Sequence, residues 1–201
     1  MIPRSNFVVF EGVDGSGKST QVERVAELLR KEGVLVRTTR EPGGCGFAES
    51  LRCLILNQDR LDPWAEAMVM GASRIEHCRT TIRPALARGE MVISDRYLGS
   101  SLVYQGMVNG IDVEEIYRLN HLSSEVIDPD LVILLDLENP RRIGDQSTFE
   151  KRGEAFWFAV RDGYRELATK YGWFTIDAEM ELADITEAII GRIFEKAGSK
   201  G

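Results

Sequence analysis

Eight consecutive residues, Gly12-Val13-Asp14-Gly15-Ser16-Gly17-Lys18-Ser19, have the types and spacing that hold phosphate. They fit G-x-x-x-x-G-K-[ST] without a mismatch. Glycine lets successive backbone N–H groups converge on phosphate oxygens, and the start of a following helix adds its positive end. The Lys18 ammonium would neutralise the outer phosphates of a nucleoside triphosphate. The Ser19 hydroxyl, with Thr20 after it, would sit beside them as a ligand for Mg2+. A cradle of this kind implies a bound triphosphate and leaves the reaction open.

Elements must exist to present it. Phe7-Val8-Val9-Phe10 runs straight into the cradle, and Met91-Val92-Ile93 and Leu131 to Leu137 are similar apolar runs. Each is continuous rather than alternating, as in strands buried on both faces of a parallel sheet. Residues 34–39 and 173–176 are weaker strand candidates. Helical patterns occupy 18–32, 64–88 with a bend or break at Pro84, 112–123, 150–170 and 182–196, and Gly33 and Gly89 stand where helix-ending glycines belong. This alternation predicts an α/β, three-layer fold of the P-loop NTPase type, a central five-stranded parallel sheet flanked by helices, in one domain over 1–201. In such sheets ligands sit at the carboxyl ends of the strands, where the cradle falls.

Composition sets outer limits. The 201 residues are 43% hydrophobic and 28% charged, with 32 acidic against 25 basic side chains and a net charge of −7. An acidic surface argues against a nucleic-acid partner. No apolar run is long enough to span a membrane. The strand at Phe7 leaves no room for a leader peptide, so a cytoplasmic location is expected. Cys45, Cys53 and Cys78 lack metal-site or redox-motif spacing and read as free thiols. His77 and His121 read as structural.

Further segments carry a resemblance. Phe10-Glu11-Gly12 to Thr20, Thr39-Arg40-Glu41-Pro42-Gly43-Gly44, Ala72-Ser73-Arg74, Asp95-Arg96-Tyr97, Ser100-Ser101 with Tyr104-Gln105-Gly106, Pro129-Asp130-Leu131, Phe149-Glu150 and Val160-Arg161-Asp162-Gly163-Tyr164 follow one another in the order found in thymidylate kinases. Together they resemble that family over nearly the whole chain. The resemblance implies a homodimeric kinase that uses MgATP and dTMP, with a lid over about 138–150. It implies that Arg40, Arg74 and Arg96 grip the dTMP phosphate and that Asp14 lies near the deoxyribose 3′-hydroxyl. Ser101, Tyr104 and Gln105 would line base and sugar.

The chemistry suits these residue types. Arginine's planar fork of donors matches phosphate oxygens. Asp95 would end a strand and orient magnesium-bound water, leaving Arg96 to project toward both phosphates. A monophosphate is already a nucleophile near neutral pH, so alignment and charge neutralisation matter more than a general base. Several positions depart from the family pattern. Met70 stands where the family usually has a phenylalanine that stacks on thymine, which keeps other nucleoside monophosphates open as acceptors. The lid is short and has Thr148 where an arginine is expected, and Gly15 fills the slot that carries an arginine in some relatives. Arg141 and Arg142 are then the candidate catalytic lid arginines, with Arg152 beside them. A short lid also leaves open a nucleotide-binding regulator with little turnover.

Overall fold

A computed structural model describes residues 7–57, 61–140 and 153–198. Five parallel strands form one sheet in the order β2-β3-β1-β4-β5: β1 (Phe7–Glu11), β2 (Val36–Arg40), β3 (Met91–Asp95), β4 (Leu131–Asp136) and β5 (Phe174–Asp177). The three inner strands are the continuous apolar runs, and nearly every residue in them is buried. Of the outer two, β2 has no buried residue and β5 buries only Ile176. An edge strand needs no apolar residue on its open side, which is why these two are weaker in the sequence.

Helices complete a three-layer α/β arrangement. In α1 (Lys18–Lys31), Val22, Val25, Ala26 and Leu29 recur at helical spacing and are buried against the sheet. Asp62 starts α3 (Pro63–His77) by accepting from the Trp64 and Ala65 amides, with Pro63 in the first turn, where its missing N–H costs nothing. The expected break at Pro84 takes another form. The helix widens into a π-helical turn at Cys78–Ile82 and resumes as α4 (Arg83–Ala87), so the proline is absorbed without ending the run. Two helices were not legible beforehand. One is α2 (Gly46–Leu56), which buries only Ala48 and so has no core-facing stripe to reveal it. The other is α5 (Leu98–Ser101), which continues as a second π-helical stretch, Leu102–Val108. Then follow α6 (Val113–Asn120), capped by Asp112, α7 (Glu154–Tyr171), closed by Gly172, and α8 (Leu182–Gly198).

Strand register sets the functional end. Phe10 lies opposite Asp95, and Arg40 lies opposite Asp95 on the other side. Glu11, Asp95 and Arg40 therefore end neighbouring strands. Strand β1 sits between β3 and β4, so the chain leaves toward opposite sides of the sheet there, which opens a crevice above the strand ends.

Candidate active site

The cradle begins with a close approach. Gly12 has φ 142°, and a Cβ there would lie 2.6 Å from the Leu135 carbonyl oxygen and 2.9 Å from the Ser16 hydroxyl. Only glycine fits both the conformation and the space. Val13, Asp14, Gly15 and Ser16 carry the loop to Gly17, whose left-handed backbone starts α1. Lys18 is buried and donates to the Val13 carbonyl at 2.7 Å. Burial pushes its ammonium down to about 7, with Arg96 adding to the fall while Asp95, Asp14 and Glu11 oppose it. A triphosphate laid in the loop would supply the counter-charge. The exposed Ser19 hydroxyl donates to the Asp95 carboxylate, joining α1 to the end of β3, and Thr20 beside it is exposed. Hydroxyl and carboxylate oxygens suit Mg2+, which keeps several waters and takes phosphate oxygens besides one or two protein groups. Among the described residues no three acidic, histidine or cysteine side chains are placed together to hold a metal ion, so a metal here would need those other oxygens.

Arg96 ties this cradle to the next strand end. It is the only non-glycine residue with positive φ (69°) among those described, and its amide donates to the Phe10 carbonyl at 2.8 Å. This conformation turns its side chain back over the loop. One terminal nitrogen donates to Asp14 at 2.6 Å, and the other to the Tyr164 hydroxyl at 2.8 Å and the Ser100 hydroxyl at 3.2 Å. Tyr104 lies beneath the guanidinium, 5.7 Å from its centre. Below them Glu11 is fully buried and accepts from the Tyr97 and Ser100 amides, both at 3.0 Å, and from the Ser100 hydroxyl at 2.7 Å. Burial raises its pKa, against the pull of Arg96 and these donors. Glu11 thus caps α5 and holds Ser100, which in turn meets Arg96 and Tyr164. Gly99 leaves the necessary room, since a Cβ there would lie 2.8 Å from the Glu11 carboxylate.

The other sequence-predicted residues lie across the crevice. Arg74 is 1% exposed, and its guanidinium is bonded on every nitrogen: Nε donates to Glu41 at 2.7 Å, Nη1 to Asn120, and Nη2 to the Tyr97 carbonyl at 3.2 Å and the Ser101 hydroxyl at 3.0 Å. Glu41 also accepts from buried His77 at 2.9 Å, and the far His77 nitrogen meets the Thr39 hydroxyl at 2.7 Å. His77 is thus buried with both ring nitrogens bonded. Arg40, at the end of β2 opposite Asp95, is exposed and paired with the two Glu49 oxygens at 2.9 and 3.0 Å. Met70 is half-buried on α3, one turn before Arg74. Gln105 is buried and donates to Glu66 at 2.8 Å. Arg141, Arg142, Thr148 and Arg152 lie outside the described residues.

Residues that shape the site without having been given a role are Glu11, Glu41, Ser100 and Tyr164, all inside recognisable segments, together with Glu49, Glu66 and Asn120. A carboxylate at the end of the apolar run 7–10 was the one visible sign, because a buried acid needs dedicated partners. Asn120 and Glu66 meet the site only through helix packing.

A model of the family described as Thymidylate kinase matches residues 10–189. The chain belongs to the thymidylate kinase family. Thymidylate kinase of Neorickettsia sennetsu is 39% identical over 197 residues, 96% of this chain and 98% of the relative. That of Pelotomaculum thermopropionicum is 40% identical over 176 residues, 83% and 82% of the two chains. The crystal structure of thymidylate kinase from Ehrlichia chaffeensis matches with a TM-score of 0.79 and 34% identity, covering 95% of this chain and 99% of that one. In this thymidylate kinase family member Tyr97 joins the two sides at the strand ends, its carbonyl accepting from Arg74 and its amide donating to Glu11 beneath Arg96. The described residues include no helix long and apolar enough to cross a membrane.

Proposed function

We propose that this chain transfers the γ-phosphoryl group of ATP to the phosphate of dTMP, giving dTDP and ADP. The contact of Arg96 with Asp14 carries the reading: an acceptor-side arginine is held against the triphosphate cradle, within reach of both substrates. In the transfer, an oxygen of the dTMP phosphate forms the new bond to the γ-phosphorus as the bond to the ADP oxygen breaks. That oxygen needs no base, because the second pKa of a phosphate monoester is about 6. Residues 12–20 hold the ATP phosphates, with the Lys18 ammonium on the outer two, and Arg96 offsets charge that spreads over the transferring group. Mg2+ would be held by Ser19, and by Asp95 through water, and when bound supplies charge neutralisation and orientation of the phosphates.

On the acceptor side, Arg40, Arg74 and Arg96 face the dTMP phosphate and its nucleoside in this reading. Glu41 balances the charge of Arg74, so Arg74 acts as a fixed donor, whereas exposed Arg40 can exchange Glu49 for an incoming phosphate. Asp14 lies toward the sugar 3′-hydroxyl, and Met70, Ser101, Tyr104 and Gln105 line sugar and base. Residues 1–201 act as one domain, with a lid over about 138–150 that brings Arg141 and Arg142 to the transferring group. The protein works as a cytoplasmic homodimer. Support for a second copy is the exposed apolar set Phe47, Leu54 and Leu56 of α2 and Trp64 and Met68 of α3, two helices packed together.

The test is ADP release with MgATP and, in turn, dTMP, dUMP, CMP, UMP, AMP or GMP. A clear preference for dTMP, lost in Lys18→Ala, is expected. Preference for another acceptor overturns the substrate, and silence with all six overturns the kinase reading.

A further inference from the structure

The slot between α3 and the π-helical stretch after α5 is braced at two points. Glu66, Met70 and Arg74 follow at intervals of four on α3 and so share one face. Ser101 and Gln105, also four apart, face them from Leu98–Val108. At one end the Gln105 Nε2 donates to the Glu66 Oε1 at 2.8 Å, and at the other the Arg74 Nη2 donates to the Ser101 Oγ at 3.0 Å. Half-buried Met70 sits between the two braces.

The brace at Glu66 imposes a polarity. A carboxylate only accepts, so Glu66 compels the Gln105 amide to turn its NH2 group toward α3. The carbonyl oxygen must then point away. Gln105 is 1% exposed, and its Oε1 has no hydrogen-bond donor among the described residues. A buried acceptor of this kind costs free energy until a donor reaches it. Ser101 accepts from Arg74 and keeps its hydroxyl hydrogen and a second lone pair, so it can donate to or accept from a base. The slot therefore offers a fixed acceptor at Gln105, which the carboxylate–amide contact prevents from reversing, one helical turn from the adaptable Ser101 hydroxyl.

We propose that Glu66 is a specificity-determining positioning residue: by fixing the Gln105 amide it selects a base with an imide edge, N–H beside C=O, and rejects one with an amino-pyrimidine edge. Thymine and uracil present N3–H flanked by carbonyls. Cytosine presents an unprotonated N3 beside an amino group, so acceptor meets acceptor at Gln105. This inference rests on the proposed function, since it needs the base of the acceptor to lie in this slot.

Glu66→Gln tests it. A glutamine at 66 can offer either end of its amide, so Gln105 is free to flip its NH2 group into the slot, where it suits cytosine. The kcat/KM ratio of dTMP over dCMP is expected to fall by about tenfold or more, with the KM for ATP unchanged. The swapped pair, Glu66→Gln with Gln105→Glu, again leaves only an acceptor facing the slot and is expected to recover the preference for dTMP. An unchanged ratio in Glu66→Gln, an equal fall with both acceptors, or a swapped pair as unselective as the single variant would each overturn the role of Glu66. A wild-type enzyme without preference for dTMP would instead overturn the proposed function and this inference with it.

Discussion

The two halves of the crevice are built on opposite principles. The triphosphate side is made from nine neighbouring residues whose working groups are mostly backbone N–H, and Gly12 is held to glycine by a carbonyl 2.6 Å from where its Cβ would be. The acceptor side is made from side chains gathered from β2, α3, α5 and α6, and its centre is a buried ion pair, Arg74 with Glu41 at 2.7 Å. Backbone cradles borrow their stability from the strand and helix they join. A buried side-chain network must support itself, because each charge in it is tolerable only while its partner remains. Damage should therefore be felt differently on the two sides.

The largest effect is expected at the ion pair. Glu41→Leu strips Arg74 of its carboxylate and His77 of its acceptor inside a dry site. A loss of about 3–5 kcal/mol of stability is expected, together with loss of dTMP turnover. Adding Arg74→Met to Glu41→Leu should return most of the stability and none of the turnover, since the second change removes the orphaned charge and also the donor to Ser101. Denaturant melts of the two variants separate these outcomes. A double variant no more stable than the single would mean that the pair does not hold the acceptor side together.

Lys18→Met should do the reverse. Activity is expected to fall by about 10²–10³-fold, the scale for removing one preorganised charge-stabilising group. Stability should hold or rise. An unfolded lysine keeps its proton up to about 10.5, whereas burial lets folded Lys18 release it at about 7. Between those values the unfolded chain binds more protons, so the lysine's cost to the fold is full below pH 7 and fades as pH rises toward 10.5. The variant's gain in Tm over wild type should accordingly be larger at pH 6 than at pH 9. A lower Tm at both would show that the cradle depends on this ammonium even without nucleotide.

The same contrast decides what could be read from the sequence. The cradle is contiguous, so its residues, its flanking strand and its helix were all legible. The inner strands were legible because burial on both faces demands unbroken apolar runs, and β2 and β5 were fainter because an edge does not. On the acceptor side Arg40, Arg74 and Arg96 were found only through their segments' resemblance to a family. What they bond to was hidden: Glu41 lies 33 residues from Arg74, Asn120 46 residues, and Tyr164 68 residues from Arg96. No local period reports such pairings. Helix α5 escaped for a related reason, since its start is fixed by Glu11, 89 residues before Ser100, rather than by a cap of its own. Helix α2 escaped because its apolar side chains, Phe47, Leu54 and Leu56, face outward.

The smallest effect is expected at Arg40 and Glu49, where the acceptor side reaches the surface and its logic should lapse. The pair has close geometry, 2.9 Å, yet its side chains are 53% and 40% exposed, so water screens both charges. Glu49 is held ionised chiefly by the Gly44 amide, at 2.9 Å, and only secondarily by Arg40. Its first task is then to shape the 42–46 turn, and the ion pair is a by-product that an incoming phosphate can displace. Glu49→Gln keeps an oxygen for the Gly44 amide and removes the competing charge. Stability should change by less than about 1 kcal/mol, while the KM for dTMP falls because Arg40 no longer has to leave a carboxylate. Thermal melts and initial rates check both halves of the expectation. A destabilisation approaching that of Glu41→Leu would mean that the exposed rim is braced as tightly as the buried network, and a KM that rises would place Arg40 outside the path of the phosphate.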